Sequence, residues 1–508
     1  MNIQNYIKAG YPAIYCVTNE EVRLQKELVH FCKSIARKFF IWSCTEGMIL
    51  VTDKTVKAVK DTELPEAMLA AVSQQSDIVV LLRDMHMLWE EPNPGLIRML
   101  KEAMPHMKST GVTLIISACR QMIPSEIEKE FVVVDIELPN QEEIIPVLTE
   151  VANSASVEID INSEQISAVI DNARGMTLNE AENAFALSLV EKSEFDPKLI
   201  YREKSQVVKK NGLLEIVETT ENIDDIGGLD LLKDYLSLRA CAFTKKAKDF
   251  GLPTPKGLLI IGIPGTGKSL TAKATSNILK NPILRMDAGK IFGSLVGESE
   301  ANLRAIIKTA EAVAPCILFI DEIEKGFSGG GGSNVSDGGT SNRVFGSFLT
   351  WLQEKTAPVF VVATANDISA LRPEFLRTGR FDQIFFVDLP QKEELIAIWN
   401  IQISKHIKAQ NIEHKLDFPL LAELCDGYTG AEIEQIVIES LFEAYNTDEK
   451  ITMELLKETI QRIVPLSKTM HEQIDALRAW SHDRARPAST DFRILEKAKG
   501  PKRKIHAT

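Results

Sequence analysis

The sequence predicts an α/β protein: a parallel sheet layered between helices, followed by a helical subdomain and preceded by a second α/β domain. Three observations carry that reading. Gly257-Leu258-Leu259-Ile260-Ile261 is an apolar run of strand length that enters Gly262-Ile263-Pro264-Gly265-Thr266-Gly267-Lys268-Ser269 and then a helical stretch over 269–278. Ile317-Leu318-Phe319-Ile320 is a second buried strand, closed by Asp321-Glu322. The first 195 residues repeat the same succession of strands in weaker form.

The first of these elements has the form G-x-x-x-x-G-K-[ST] in strand–loop–helix context, which makes it a phosphate loop. Gly262, Gly265 and Gly267 let the backbone curl so that its N–H groups face a β-phosphate at a helix N-terminus, where the dipole also favours negative charge. Lys268 reaches the β- and γ-phosphates and Ser269 holds Mg²⁺. In the second element the carboxylates stand at the C-terminal end of a central strand, where open α/β sheets place ligands. Asp321 binds Mg²⁺ through water, and Glu322 orients and deprotonates the attacking water. The expected ligands are ATP and Mg²⁺, and the expected activity is ATP hydrolysis.

On these residues the stretch 222–465 resembles the AAA ATPase family. The resemblance implies nucleotide contacts from Asp225, Ile226 and Gly227 on the adenine side and from Pro264, Gly265, Thr266, Gly267, Lys268, Ser269 and Leu270. Gly430 and Ala431, within Gly427-Tyr428-Thr429-Gly430-Ala431-Glu432-Ile433, resemble the family's turn against adenine and ribose. Ala363-Thr364-Ala365-Asn366 ends another apolar strand, 359–362, with Asn366 at the sensor-1 position, where an amide can bond the attacking water or the γ-phosphate without adding charge. Leu371 to Asp382 resembles the second region of homology, in which Arg377 and Arg380 match the arginine fingers. Such fingers act in the neighbouring subunit and accelerate hydrolysis roughly 10³- to 10⁵-fold. They imply a homo-oligomer, expected as a hexamer.

Departures from the family pattern narrow the expected contacts with a substrate. The aromatic expected ahead of Val296-Gly297-Glu298-Ser299-Glu300 is replaced by Leu295, which has less contact area and no stacking. Gln383 stands where the family has a third arginine, and Trp351 reads as packing within a helix. The glycine-rich stretch 328–339 cannot bury enough apolar surface to order itself, and its place after Asp321-Glu322 matches the family's second pore loop.

In the N-terminal part, Ala13 to Val17 takes the place of the first strand, Ile78 to Asp84 that of the strand ending in carboxylates, and Val112 to Ala118 that of the sensor-1 strand. Phe131 to Ile144 runs parallel to Ile384 to Leu395, and Ala173 to Ala181 takes the place of Gly427 to Glu434. After Val17 the chain reads Thr18-Asn19-Glu20-Glu21, with Thr or Asn able to cap a helix and no glycine or lysine to cradle a triphosphate. The expectation is a degenerate AAA-like domain; the alternative is an unrelated α/β domain with a chance likeness. The expected divisions are a degenerate domain 1–195, a linker 196–222, an ATPase core 223–389, a helical lid 390–465, and a C-terminal helix with a basic tail 466–508. This whole arrangement resembles an AAA ATPase family of cyanobacterial genomes and algal plastid open reading frames.

Composition excludes several classes. With 508 residues, 44% hydrophobic and 25% charged, the chain suits about two to four globular domains. Its apolar runs are far short of the roughly 20 residues of a membrane span, and Met1-Asn2-Ile3-Gln4-Asn5 shows no targeting pattern, so a cytosolic or, if plastid-encoded, stromal location is expected. A net charge of −13 argues against a broad nucleic-acid surface; the one exception, the basic tail 497–504, is either a solvated end or a contact for RNA, DNA or an acidic partner. Seven cysteines, at 16, 32, 44, 119, 241, 316 and 425, lack metal-site spacing and read as buried thiols of a reducing compartment. Two functions stay open: a ring that remodels a protein client, whose identity is unknown, and an ATP-controlled switch or assembly platform without translocation.

Overall fold

The computed structural model describes residues 3–51, 56–89, 93–210, 212–217, 223–243, 245–287, 298–327, 340–377, 379–407 and 416–490. The expectations for Leu295, Val296 and Gly297, for the stretch 328–339 and for the tail 497–504 lie outside these residues. The chain divides into two compact units, Met1–Lys204 and Ser205–Thr508.

The first unit is built on β1 (Ala13–Val17), β2 (Lys38–Ser43), β3 (Gly47–Val51), β4 (Val56–Val59), β5 (Ile78–Arg83), β6 (Thr113–Ala118) and β7 (Val132–Asp135), in the order β4-β3-β2-β5-β6-β1-β7. The five strands from β2 to β7 in that order are parallel, and β3 and β4 add an antiparallel edge. Alternate residues of β5 enter different cores: Val80 and Leu82 meet Trp42, Met104 and Ile116, while Val79 and Leu81 meet Leu28, Phe31 and Ile115. Burial on both faces is why such strands read as unbroken apolar runs.

The second unit carries β8 (Leu214–Val217), β9 (Gly257–Gly262), β10 (Ile283–Met286), β11 (Cys316–Ile320), β12 (Val359–Ala365), β13 (Gln383–Val387) and β14 (Arg486–Pro487), ordered β14-β13-β9-β12-β11-β10-β8. The sequence β13-β9-β12-β11-β10 repeats β7-β1-β6-β5-β2 of the first unit strand for strand. The helices beyond these strands repeat too. Asn140 with Glu143 and Gln391 with Glu394 form equivalent capping boxes, and so do Thr177 with Glu180 and Thr429 with Glu432. The first unit thus repeats the strand order and the helix caps of the second.

Helices Lys392–His406, Phe418–Leu424, Gly430–Thr447 and Met453–Arg462 form the lid around Trp399, Leu421, Ile433, Ile436, Leu456 and Ile460. Beyond it the chain returns to the sheet, where the Ala488 N–H donates to Phe386 O and the Leu232 N–H to Ala488 O. Ser489 Oγ then bonds Glu394 Oε1 at 2.6 Å and accepts from the Leu229 N–H at 3.2 Å. This strap joins the start of the lid to the segment just after Gly228.

Two local expectations need amendment. Neither Thr18 nor Asn19 caps the helix Glu21–Ser34: Glu20 takes the cap position, and its N–H donates to Thr18 Oγ1 at 2.9 Å. Of the seven cysteines only Cys16, Cys32, Cys316 and Cys425 are buried, whereas Cys44, Cys119 and Cys241 are exposed, because single apolar neighbours in sequence do not report the face a side chain takes. The stretch 196–222 contains a helix, Pro197–Lys210, and β8, which pairs antiparallel with β10 at the sheet edge.

Candidate active site

A cavity of about 700 Å³ opens at the C-terminal ends of β9, β11 and β12 and is roofed by the lid. Asp225, Ile226, Gly227, the whole run Pro264 to Leu270, Asp321, Glu322, Asn366, Gly430 and Ala431 all line it. The loop between β9 and the helix Lys268–Leu279 is shaped by Gly265 in a left-handed conformation (φ 78°), where a Cβ would stand 3.0 Å from Thr429 Oγ1. The loop reaches the lid through the Ala431 N–H, which donates to Gly265 O at 3.1 Å. On the opposite wall Gly227 allows equally close approach: a Cβ there would lie 2.5 Å from Ile398 Cγ1.

Lys268 is 5% exposed and donates to Gly262 O at 2.9 Å and Ile263 O at 2.6 Å. Burial pushes its ammonium down to about 8, against the opposing pull of Glu324, Asp321 and Glu322. Asp321 Oδ1 accepts from Ser269 Oγ at 2.9 Å and from Thr364 Oγ1 at 2.6 Å. Hydroxyl and carboxylate oxygens together suit a hard divalent cation such as Mg²⁺.

Glu322 sits just past the strand end in a left-handed conformation, φ 49°, held by its N–H to Thr364 Oγ1 at 3.0 Å. Such backbone costs a non-glycine residue about 1–3 kcal/mol and aims its side chain out of the strand direction. Asn366 Nδ2 donates to Glu322 Oε1 at 3.0 Å, and Lys325 Nζ lies 2.6 Å from Oε2. Glu324, 5% exposed, accepts from the Asn366 N–H at 2.9 Å, and burial raises its carboxyl above the usual range.

Arg377 and Arg380 are not among the residues lining this cavity. Arg377 is exposed, and Arg380 is part-buried with its guanidinium donating to Glu374 O. Their loop is anchored by Phe375, buried against Phe345, Phe348 and Phe381. Trp351 lies in the helix Thr340–Glu354, tilted on Phe348 and donating to Glu311 Oε1 at 2.8 Å.

Sequence reasoning passed over Thr364, although its place two residues before Asn366 was a usable signal. It also passed over the lid side of the cavity, Ile398, Ile401, Gln402 and Lys405, whose i, i+3, i+4, i+7 spacing lays them on one face of the helix Lys392–His406.

At the matching place in the first unit only residues 18–20 separate β1 from its helix. Glu20 Oε1 accepts from the Leu178 N–H at 2.7 Å, at the start of the helix equivalent to Gly430–Thr447. Arg23 bridges Glu20 and Glu143 at 2.7 and 2.6 Å, and Arg83 pairs with Glu21 at 2.9 Å.

A phosphate loop after β9, a paired Asp-Glu on the next strand but one, and a helical lid closing over both define an AAA-type ATPase. Residues 258–389 match the model of the ATPase family associated with various cellular activities (AAA), 1–136 that of the SpoVK-like AAA ATPase N-terminal domain, and 142–211 that of the SpoVK-like AAA ATPase second domain. The protein named "Uncharacterized AAA domain-containing protein ycf46" in Pyropia yezoensis is 38% identical over 95% of this chain and 98% of its own length. Its namesakes in Guillardia theta and Trieres chinensis are 34% and 35% identical, over 94% and 95% of the chain and 93% and 97% of their own lengths. The chain belongs to this ycf46 family of AAA domain-containing proteins.

Proposed function

We propose that the chain is a Mg²⁺-dependent ATPase that assembles into a ring, a hexamer, and uses hydrolysis to remodel or take apart a protein client. The observation that carries the reading is the convergence of Lys268, Ser269, Asp321, Glu322 and Asn366 on one cavity. Mg²⁺ held with ATP by Ser269 and Asp321 would neutralise charge on the β- and γ-phosphoryl oxygens. Lys268 adds a fixed positive charge at the same oxygens. Glu322 takes the proton of the attacking water, and Asn366 keeps the Glu322 carboxylate aimed at it. Arg377 and Arg380 lie outside their own chain's cavity, and the exposed Arg377 would face the neighbour's γ-phosphate with Arg380 beside it. Asp225, Ile226, Gly227, Gly430 and Ala431 enclose the base and ribose.

The first unit is assigned no nucleotide, because residues 18–20 offer no glycine or lysine to cradle phosphates and Glu20 is already engaged with the Leu178 N–H and Arg23. No described helix is long and apolar enough to cross a membrane, and a cytosolic or stromal location belongs to the same reading. A second reading, an ATP-controlled switch or assembly platform without translocation, is favoured by the aliphatic Leu295. Leu295→Ala separates the two: a remodeller keeps ATP turnover and loses its effect on the client, whereas a platform is indifferent to the change. A client for that assay comes from capture on the Glu322→Gln variant loaded with ATP. Purified protein without Mg²⁺-dependent ATP turnover at any concentration would refute the ATPase reading itself.

A further inference from the structure

The two units share their strand register, so positions can be equated across them. Arg83 pairs with Ser117 between β5 and β6, and Ile320 with Ala363 one step earlier between β11 and β12. Asp84, His86 and Cys119 therefore occupy the positions of Glu322, Glu324 and Asn366. The backbone agrees: Asp84 has φ 51° where Glu322 has 49°. In the second unit these positions hold a hydrogen-bonded set of carboxylates and an amide. In the first they hold a thiol, an imidazole and a carboxylate.

His86 Nε2 lies 4.0 Å from Cys119 Sγ, and His86 Nδ1 lies 3.9 Å from Asp84 Oδ1. The imidazole is 2% exposed and its Nδ1 has no hydrogen-bond partner among the described residues, whereas Cys119 is exposed to solvent. A nucleophile, a base 4.0 Å from it and a carboxylate 3.9 Å from the far nitrogen of the base stand in the order that activates a thiol. Met122 to Glu126, which begin three residues beyond Cys119, line with Trp89, Ile97, Arg98 and Lys101 a cavity of about 550 Å³ that Cys119 itself does not line.

We propose that Cys119 is a thiol–disulfide exchange site, activated by His86 and Asp84, that takes up half of a low-molecular-weight disulfide. The Cys119 proton passes to His86 Nε2 as Sγ attacks one sulfur of the disulfide. The bond between the two small-molecule sulfurs breaks, the Cys119 mixed disulfide forms, and the departing thiolate takes the proton from His86, so no further oxidant or reductant enters. Lys101 beside the cavity suits a disulfide bearing a carboxylate, Arg98 being paired with Glu102 at 2.6 Å. This chemistry is independent of ATP hydrolysis in the second unit.

The chain holds its own controls. Cys44 and Cys241 are exposed thiols elsewhere in the chain, the latter donating to Leu238 O at 3.2 Å. Cys16 and Cys32 are buried thiols of the same unit as Cys119, pushed up to about 12 by burial. The full chain is incubated with glutathione disulfide at neutral pH and modification is read at each cysteine by mass spectrometry. Cys119 should react at least about 10-fold faster than Cys44 and Cys241, with Cys16 and Cys32 silent. His86→Asn should bring it down to the rate of Cys44. Equal rates at the three exposed thiols would overturn the proposal, as would an unchanged Cys119 rate in His86→Asn. If labelling of Cys16 and Cys32 shows that this variant unfolds, Asp84→Asn decides, since the Asp84 side chain is 71% exposed and its loss leaves the core intact. A slower Cys119 in that variant supports the proposal, and a rate equal to the parent's ends it.

Discussion

Asn366 holds Glu322 by a 3.0 Å bond from its side-chain amide to Oε1, while its own N–H is held by the buried carboxylate of Glu324. Glu322, the proposed general base, is thus positioned from a neighbouring strand and from its own loop at once. Glu322→Gln keeps this geometry and removes the basicity. Turnover should fall roughly 10²- to 10⁴-fold with ATP affinity retained, measured by steady-state phosphate release and nucleotide titration. Loss of affinity in parallel with turnover would mean that Glu322 binds ATP.

Lys268 supplies the one ammonium at the base of the phosphate loop among the residues lining the cavity, buried where little water screens it. Lys268→Ala should abolish ATP binding in a fluorescent-nucleotide titration. Affinity equal to the parent's would remove the phosphate-loop assignment.

Arg377 is exposed and stands outside its own chain's cavity. Arg377→Ala subunits should be inactive alone, and so should Lys268→Ala subunits. Mixing them should restore part of the ATPase rate, because some interfaces then pair an intact loop with an intact finger. No recovery at any ratio would place the arginine's action within its own subunit or outside catalysis.

Lys355 gives a pH dependence of stability. Burial pushes it from 10.5 down to about 8, and its ammonium donates to Val359 O. Between those two values the unfolded chain carries the proton and the folded chain does not, so rising pH favours the folded state through this group. Relative to Lys355→Met, the parent's urea midpoint for the second unit should rise between pH 8 and 10. A relative fall would contradict the sign.

Much of the site was legible in the chain because its parts are contiguous. The run Pro264 to Leu270 carries its own glycines and cation, and Asp321-Glu322 ends its own strand, so local pattern and chemistry coincide there. Glu324 was not legible, since it matters only through a bond to a residue about 40 positions away in sequence that β11 and β12 bring alongside, and the position of Thr364 hinted at a role whose partner only that pairing supplies. The lid face of Ile398, Ile401 and Gln402 showed helical spacing, but nothing in a helix alone tells which partner its face will meet.

The sequence by itself determined the class of chemistry and the doubled architecture, because strand periodicity and loop composition are local properties of consecutive residues. Tertiary structure alone decided that the two units share one strand order, that the C-terminal strap reaches Glu394, and that Cys119 faces His86. Those relations depend on which strands become neighbours, and neighbourhood is a property of the packed sheet.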